Sequence, residues 1–214
     1  MAAVKSSGGA SRRDRARATR LRIVRAAHDL FVERGYTGTR MSDVADRAGV
    51  AVQTVYFTFH TKAELLQNCY DVAVLGEDDP LPPQDQPWYA AMLAARSGTA
   101  ALRHFVQGNA QICARIAVLD DVTRSASHEP EALQVRANGE RLRRDGMREV
   151  VRNLGDRFGR PPGWELESAT DVLLTLSGGA VYRTLVIDYG WAQEAYVDWL
   201  TTTLSAQLLP PRRR

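Results

Sequence analysis

One segment of the chain, residues 39–65, restricts the possible folds more than any other part of the sequence. It reads TRMSDVADRAGVAVQTVYFTFHTKAEL. Four apolar residues recur at the spacing of one helical face: Met41, Val44, Ala45 and Ala48. Gly49 follows them and can adopt the left-handed backbone of a tight reversal. A second short helix is predicted over about 52–57, so the segment has the pattern of two helices joined by a turn.

A further helix is predicted directly after this pair. Thr61, Lys62, Ala63 and Glu64 have the form of a capping box, in which the first and last side chains satisfy backbone N–H groups of a helix start. A short helix held rigidly against a second one is a device for reading DNA. The segment therefore indicates a nucleic-acid-binding unit.

The nine prolines leave long stretches with helical periodicity between them. They lie at four positions within 80–87, at 130, at 161–162 and at 210–211. No alternating apolar and polar run indicates a strand, so the chain is predicted to be all-α. Helices are expected over 15–34, 88–95, 98–119, 129–155, 165–188 and 192–208, with a loop at 76–87.

Three regions follow from these patterns. Residues 1–14 are predicted to be a flexible basic arm, 15–62 a helix-turn-helix domain and 63–214 a second helical domain. Residues 1–60 hold 11 Lys and Arg against 5 Asp and Glu, a net charge of +6, whereas 61–214 hold 17 against 20, a net charge of −3. A basic head on an acidic body is typical of a protein that binds nucleic acid.

Other function classes find little support. Cys69 and Cys113 stand alone in the sequence and are predicted to be buried, reduced thiols. The longest apolar stretch, 172–187, is interrupted by polar residues, which argues against a membrane span. The first twenty residues lack the apolar core of a secretory signal, so a cytoplasmic protein is expected. The four histidines lack metal-ligand spacing, and no nucleotide-binding or nucleophile motif is present, so neither a cofactor nor an enzyme is predicted.

Residues 23–66 resemble the DNA-binding domain of the tetracycline-repressor (TetR)-like family of bacterial regulators. The matching residues follow the order and spacing of that family: Ile23, Ala26, Ala27, Leu30, Phe31, Gly35, Tyr36, Thr39, Val44, Ala45, Ala48, Gly49, Val50, Thr54, Val55, Tyr56, Phe59, Lys62 and Leu65. Residues 177–200 also resemble the dimerisation helices common in the family. The resemblance implies an N-terminal three-helix DNA-binding domain and a C-terminal helical domain for ligand binding and dimerisation.

The resemblance also implies contacts with DNA phosphates. In the family, the threonine at the start of the second helix meets a phosphate, which implies this role for Thr39 and its neighbour Arg40. The tyrosine of the recognition helix and the lysine at the start of the next helix imply the same for Tyr56 and Lys62. Such contacts position a protein on DNA but carry little sequence information.

Base recognition is expected from the exposed side chains of the recognition helix, Val52, Gln53 and Phe57. Glutamine can pair with adenine through two hydrogen bonds, and apolar side chains can cover a thymine methyl group. Thr54 could reach a base or a phosphate, or hydrogen-bond within its own helix.

Two positions depart from the family. Ala51 stands where the family often has serine, which removes an N-cap worth ~1 kcal/mol, although the backbone N–H can still bind phosphate. Thr58 stands where the family often has histidine or tyrosine, so one contact with the DNA backbone is expected to be shortened or lost.

Seven arginines lie in or next to the predicted arm: Arg12, Arg13, Arg15, Arg17, Arg20, Arg22 and Arg25. They are either a solvated basic tail or part of an arm that adds phosphate or minor-groove contacts.

The second domain is interpreted as a ligand receptor and a dimer interface. Aromatic and apolar candidates for a ligand pocket, each of which could also be ordinary core, are Trp88, Tyr89, Met92, His104, Phe105, Ile112, Cys113 and Trp164. The last two helices either complete the core of one chain or form a two-fold interface. The interface is predicted to contain Leu173, Leu176, Ala180, Tyr196, Trp199, Leu200 and Leu204.

The leading hypothesis is therefore a ligand-responsive transcriptional regulator. It is expected to be a repressor that binds a palindromic operator in double-stranded DNA as a homodimer and is released by a small-molecule inducer. Two alternatives stay open: an architectural DNA-binding protein without a small-molecule ligand, and an enzyme with an acquired nucleic-acid-binding domain.

Overall fold

The structure, a computed structural model, describes residues 11–76, 81–126 and 128–211. Every regular element in these ranges is helical, which confirms the all-α prediction. The helices are α1 (Arg12–Arg34), α2 (Met41–Ala48), α3 (Val52–Thr58), α4 (Lys62–Leu75), α5 (Pro87–Ala94), α6 (Gly98–Ser125), α7 (Pro130–Phe158), α8 (Leu166–Leu176), α9 (Gly179–Tyr182) and α10 (Gln193–Leu208), with a 3-10 turn at Pro83–Asp85 and a π-helical turn at Arg183–Asp188. The chain divides into two compact units, Met1–Cys69 and Tyr70–Arg214.

Helix α1 begins at Arg12, earlier than the start predicted at residue 15. The Ser11 hydroxyl accepts a hydrogen bond from the Asp14 N–H (3.1 Å), and the Asp14 carboxylate accepts one from the Ser11 N–H (3.0 Å). This capping box satisfies two N–H groups at the helix start and lowers the pKa of Asp14. The arginines assigned to a flexible arm therefore lie in a helix, and residues 1–10 of that arm lie outside the described residues.

The first unit is built around the apolar faces of α1 and α2. Ile23, Ala27 and Phe31 are fully buried, and they pack with the predicted apolar face of α2. Gly49 has φ 64° and ψ 43°, the left-handed conformation predicted for the turn. The Val50 N–H donates to the Ala45 carbonyl (3.1 Å), which closes a Schellman motif and ends α2. The turn therefore fixes the direction in which α3 leaves α2.

The second unit has one apolar core formed mainly by α6, α7, α8 and α10. The buried side chains include Leu102 and Phe105 of α6, Leu154 of α7, and Leu200 and Leu204 of α10. Pro130 begins α7, as predicted, because the first turn of a helix needs no N–H there. The arginines of α7 form the expected ion pairs on its solvated face and also reach acidic residues of α8.

The continuous helix predicted over 165–188 is interrupted. The Ser177 hydroxyl donates to the Leu173 carbonyl (2.6 Å), and Gly178 then adopts an extended conformation. A Cβ atom on Gly179 would lie 2.7 Å from Oδ2 of Asp120, so the backbone passes close to this side chain of α6. The prediction was wrong here because the apolar spacing continues across the break, where Gly178 is extended and Gly179 lies against Asp120.

Arginines from neighbouring helices satisfy carbonyl groups at several helix C-termini in the second unit. Arg115 Nε donates to the Ala73 carbonyl near the end of α4 (2.5 Å), and Arg143 Nη1 donates to the Leu174 carbonyl of α8 (3.2 Å). Arg157 Nη2 donates to the Ala95 carbonyl just after α5 (2.6 Å). The last carbonyls of a helix lack partners within it and form its negative dipole end. A guanidinium there donates hydrogen bonds to these carbonyls and also interacts favourably with the dipole.

The described helices are too short or too polar to cross a membrane. Cys69 and Cys113 are buried and unbridged, as predicted. The Cys113 thiol lies 3.6 Å from the Ser177 carbonyl oxygen, and burial raises its pKa to about 12.

Candidate nucleic-acid interface

Helix α3 presents most of the predicted base-reading side chains to solvent. Phe57 is 85% exposed and Tyr56 is 50% exposed, which is unusual for aromatic residues. Gln53 is exposed, and Val52 and Thr54 are half-buried. These residues form one polar and aromatic surface on a seven-residue helix. We call this surface, residues 52–54, 56 and 57, the α3 face.

Few side chains of the short helix α3 anchor it to the rest of the domain. Val55 is its one buried side chain, and Phe59, directly after the helix, is fully buried. Ala51 occupies the N-cap position in an extended conformation and provides no side-chain hydrogen bond, as predicted. The Thr58 hydroxyl donates back to the Thr54 carbonyl (2.7 Å), so it is used inside the helix. The position of the α3 face therefore depends on neighbouring elements.

Thr39 does not present its side chain as the resemblance implied. It is 1% exposed, and its hydroxyl lies 2.8 Å from the Gly35 carbonyl oxygen and 3.1 Å from that of Leu30. Because one hydroxyl proton serves both carbonyls at the end of α1, the side chain closes the α1–α2 connection. In this conformation Thr39 is therefore not available for the phosphate contact predicted for it, whereas the neighbouring Arg40 is exposed.

Lys62 is anchored on the turn after α1. Its Nζ donates to the Tyr36 carbonyl (2.8 Å) and lies 4.2 Å from the centroid of the Tyr36 ring. These contacts orient the ammonium group at the start of α4.

The helix start at α4 differs in one detail from the predicted capping box. The Thr61 hydroxyl accepts from the Glu64 N–H (3.0 Å), as expected. The Glu64 carboxylate, however, accepts from the N–H of His60 rather than from that of Thr61 (3.0 Å). His60 Nδ1 also lies 3.2 Å from the Tyr56 carbonyl oxygen, so the cap of α4 contacts α3.

Helices α1 and α2 are joined by an ion pair that the sequence analysis did not identify. Nη1 and Nη2 of Arg47 each donate to one oxygen of the Glu33 carboxylate, at 2.7 and 2.8 Å. The pair lowers the pKa of Glu33 and raises that of Arg47. A charge pair separated by fourteen positions across a turn has no local sequence signal.

The residues proposed to line a ligand pocket are largely packed core. Met92, Phe105 and Cys113 are buried, at 1%, 1% and 3% exposure. Trp88 and Phe105 rings pack edge to face with centroids 6.2 Å apart. A Cβ atom on Gly108 would lie 2.1 Å from Trp88, so the indole occupies the space beside α6. Among the other predicted pocket residues, Tyr89, His104, Ile112 and Trp164 are half-buried.

A cavity of about 490 Å³ lies on another part of the second unit, between α7 and α8. It is lined mainly by charged side chains, including Arg141, Arg144 and Asp171, and by none of the predicted ligand residues. Arg144 Nη2 donates to Asp171 (2.5 Å), so its charge is already paired there.

Four of the seven predicted dimer residues lie inside one chain. Leu173, Tyr196, Leu200 and Leu204 are each 0% exposed. A side chain that is already fully buried within a chain cannot be buried again by a partner, so this part of the prediction was wrong. Leu176 and Trp199 are half-buried and Ala180 is exposed.

No group of three or more His, Cys, Asp or Glu side chains in the described ranges is arranged to hold a metal ion.

Comparison with known proteins finds similarity in the part of the chain that contains α3. The family model described as bacterial regulatory proteins, tetR family, matches residues 23–69. The HTH-type transcriptional regulator TtgR of Pseudomonas putida is 39% identical over 59 residues. This stretch covers 28% of the chain and 28% of TtgR, so the chain spans little more than a quarter of that relative's length.

Two solved structures share the fold over most of both chains. NalD of Pseudomonas aeruginosa, the secondary repressor of the MexAB-OprM multidrug efflux pump, has a TM-score of 0.67 at 19% identity and covers 91% of this chain and 98% of its own. The fatty acid degradation regulator FadR from Bacillus halodurans has a TM-score of 0.68 at 19% identity and covers 92% and 97%. The family match is thus confined to residues 23–69, which contain α2 and α3, and this part of the chain is similar to the tetR family of bacterial regulatory proteins.

Proposed function

We propose that the chain is a transcriptional repressor that binds a near-palindromic operator as a homodimer and is released by a small-molecule inducer. The observation that carries the DNA-binding part is the α3 face, an exposed polar and aromatic surface on the second helix of a helix-turn-helix. In such motifs the second helix enters the major groove and its side chains contact base edges.

The side chains of α3 divide into readers and positioning groups. Gln53 can form two hydrogen bonds with adenine, and Phe57 and Val52 can cover thymine methyl groups. Tyr56, through its phenol, and the cations of Arg40 and Lys62 suit DNA phosphates, which fix the register of the protein without specifying sequence.

Three smaller groups extend this assignment. The Ala51 N–H lies at the exposed N-terminal end of α3, where an anion is favoured. Thr54 is half-buried and remains a candidate for a base or a phosphate. Thr58 donates within its helix, which is consistent with a weaker phosphate grip at that position.

A homodimer requires an outward-facing surface on the second unit. Leu176, Ala180 and Trp199 remain partly or fully accessible. Ile187 and Tyr189, at 49% and 71% exposure, add apolar surface next to the start of α10. A homodimeric helix-turn-helix protein binds an operator when its two recognition helices enter successive major grooves, about 34–36 Å apart.

The inducer part of the proposal is supported by one buried hydroxyl. The Tyr196 side chain is 0% exposed, and its hydroxyl has no hydrogen-bond partner among the described residues. A buried polar group without a partner costs about 1–3 kcal/mol, so a ligand whose polar atom reached this hydroxyl would regain that free energy. Coupling to DNA binding then requires only that the ligand favour one conformation over another.

The packed aromatic residues around Trp88 favour the alternative, an architectural DNA-binding protein without a ligand. Thermal-shift screening of the full chain against a library of small molecules distinguishes the two. A receptor shows saturable stabilisation by particular compounds, and the same compounds lower DNA affinity. Stabilisation by none of them, together with intact DNA binding, would favour the architectural protein.

A further inference from the structure

One arginine of α1 contacts three other parts of the DNA-binding domain. Nη2 of Arg20 donates to Oδ1 of Asn68 in α4 (2.6 Å), and Nη1 donates to the Thr58 carbonyl at the end of α3 (3.4 Å). The guanidinium carbon also lies 4.4 Å from the centroid of the Phe59 ring. Arg20 thus connects the first helix to the end of α3, to the residue that follows it and to the middle of α4.

The contact with Thr58 meets a specific need of α3. Thr58 is the last residue of this helix, and the last carbonyls of a helix have no partner within it. A cation at that end is also favoured by the helix dipole. Because α3 buries only Val55 and lacks a side-chain N-cap, a contact from α1 at its C-terminal end adds to the restraint that the Gly49 turn and the buried Phe59 provide.

The other two contacts hold the guanidinium in one orientation. The Asn68 amide donates to the Glu64 carbonyl (2.8 Å), which points its oxygen toward Arg20. Phe59 is fully buried and therefore offers a fixed aromatic face, on which a planar guanidinium stacks well. A planar fork that is stacked and hydrogen-bonded in two directions restrains the position of its partners.

We propose that Arg20 is a positioning residue for base recognition: it holds the C-terminal end of α3 in place and does not contact DNA itself. This inference rests on the proposed function, because it assigns a role in DNA binding. Recognition side chains must be held within about 0.5 Å of the productive geometry, and Gln53 and Phe57 are exposed and cannot position themselves. The competing role for an arginine on a basic helix is a direct phosphate contact.

Salt dependence separates these two roles. Each phosphate contact contributes about 0.9 to the slope of log affinity against log salt, and it acts on any sequence. A positioning residue leaves that slope unchanged, and its loss weakens binding to the preferred site more than binding to unrelated DNA. The ratio of the two affinities is therefore the quantity to measure.

The experiment uses the full chain and a DNA site selected from a random pool by the wild type. Arg20→Lys and Arg20→Gln are compared with Arg22→Gln, which removes a charge from an exposed position on the same helix. Affinities for the selected site and for a scrambled site are measured at several salt concentrations, below the melting temperature of every variant. We expect both Arg20 variants to lose roughly tenfold in the ratio, the size of one charge-assisted hydrogen bond, with the wild-type slope. Arg22→Gln keeps the wild-type ratio.

Arg20→Lys is the decisive variant, because lysine keeps the charge but cannot stack and donate in two directions at once. A wild-type ratio in Arg20→Lys, or a slope reduced by about one contact in Arg20→Gln, would overturn the positioning role. Asn68→Ala gives a second test that leaves Arg20 intact: its ratio should fall in the same direction and add little to Arg20→Gln. If the wild type selects no site at all, the proposed function fails instead.

Discussion

Helices α3 and α10 were both predicted to be contact surfaces, and the structure separates them. On α3, the aromatic residues Tyr56 and Phe57 lie open to solvent. On α10, Tyr196, Leu200 and Leu204 are fully buried within their own chain. The prediction for α3 depended on the position of each residue in a motif, whereas that for α10 depended on the width of an apolar stripe.

The difference has a physical cause. Apolar periodicity shows that a helical face is removed from water, but the free energy gained is the same whether the neighbour belongs to the same chain or to a second one. Tyr56 and Phe57 are exposed although Val55 and Phe59, on either side of them, are buried. Exposed aromatic residues indicate a contact surface more specifically, because the isolated protein gains nothing from their exposure. A hydrophobic side chain that stays exposed to solvent is therefore a better indicator of a binding surface than an apolar stripe along a helix.

Leu200→Ala should show the largest effect, because it empties space in the core of the second unit. We expect unfolding free energy to fall by about 2–5 kcal/mol, measured by chemical denaturation. The neighbouring Trp199→Ala provides the matched variant: it should weaken self-association in analytical ultracentrifugation and cost less stability. Dissociation of the dimer by Leu200→Ala without loss of stability would return α10 to the interface as first predicted.

Gln53→Ala tests the other side of the comparison. The loss of a two-hydrogen-bond contact with a base should cost about 1–3 kcal/mol on the preferred site, with little change in affinity for unrelated DNA and in melting temperature. The specificity at one base pair of each half-site should relax. Equal weakening on all DNA sequences would instead place Gln53 among the phosphate contacts.

Ala51→Ser should strengthen the recognition helix. The extended backbone at position 51 suits an N-cap. The Thr54 N–H already donates to the Ala51 carbonyl (2.9 Å), so a serine hydroxyl can accept from the N–H of Gln53, a contact worth about 1 kcal/mol. Both the melting temperature and the affinity for DNA should rise slightly. Ala51→Val is the control, since its side chain also extends beyond Cβ but has no oxygen, and an equal gain there would rule out the capping explanation.

The smallest effect concerns alkaline pH. Burial raises the pKa of Cys113 from an ordinary value of 9.0 to about 12, and burial raises that of Tyr196 as well. The folded chain thus holds protons that the unfolded chain releases, so this contribution to stability is complete below pH 9 and declines as the pH rises toward 12. Denaturation curves at pH 8 and pH 10.5 should show the decline, and Cys113→Ala should reduce its slope. A pH-independent stability across that interval would contradict the buried, protonated thiol.

The sequence was sufficient for the elements whose signals are local. Gly49 and Pro130 marked helix boundaries correctly because their backbone preferences do not depend on the rest of the fold. The break after Leu176 was missed because Gly179, just beyond it, lies against Asp120 of α6, a residue distant in sequence. Arg20 and the Arg47–Glu33 pair were missed for the same reason, since each joins residues distant in sequence.

The predicted site residues divide along the same line. Tyr56 and Phe57 are exposed as the motif implied, whereas Thr39 is buried because its hydroxyl serves carbonyls of α1 that the sequence does not bring near it. The sequence also could not distinguish a ligand pocket from a packed core around Trp88, because the packing depends on the absence of a Cβ atom at Gly108 on the facing helix.

The most direct test of the central claim, that the α3 face reads DNA sequence in a dimer, is selection of binding sites from random double-stranded DNA by the purified full chain. The account predicts enrichment of two inverted half-sites whose centres lie about 10–10.5 base pairs, or a multiple of that, apart. It also predicts that Gln53→Ala loses preference at one symmetric pair of positions. Failure to enrich any sequence, or enrichment of single half-sites that Gln53→Ala leaves unchanged, would contradict it.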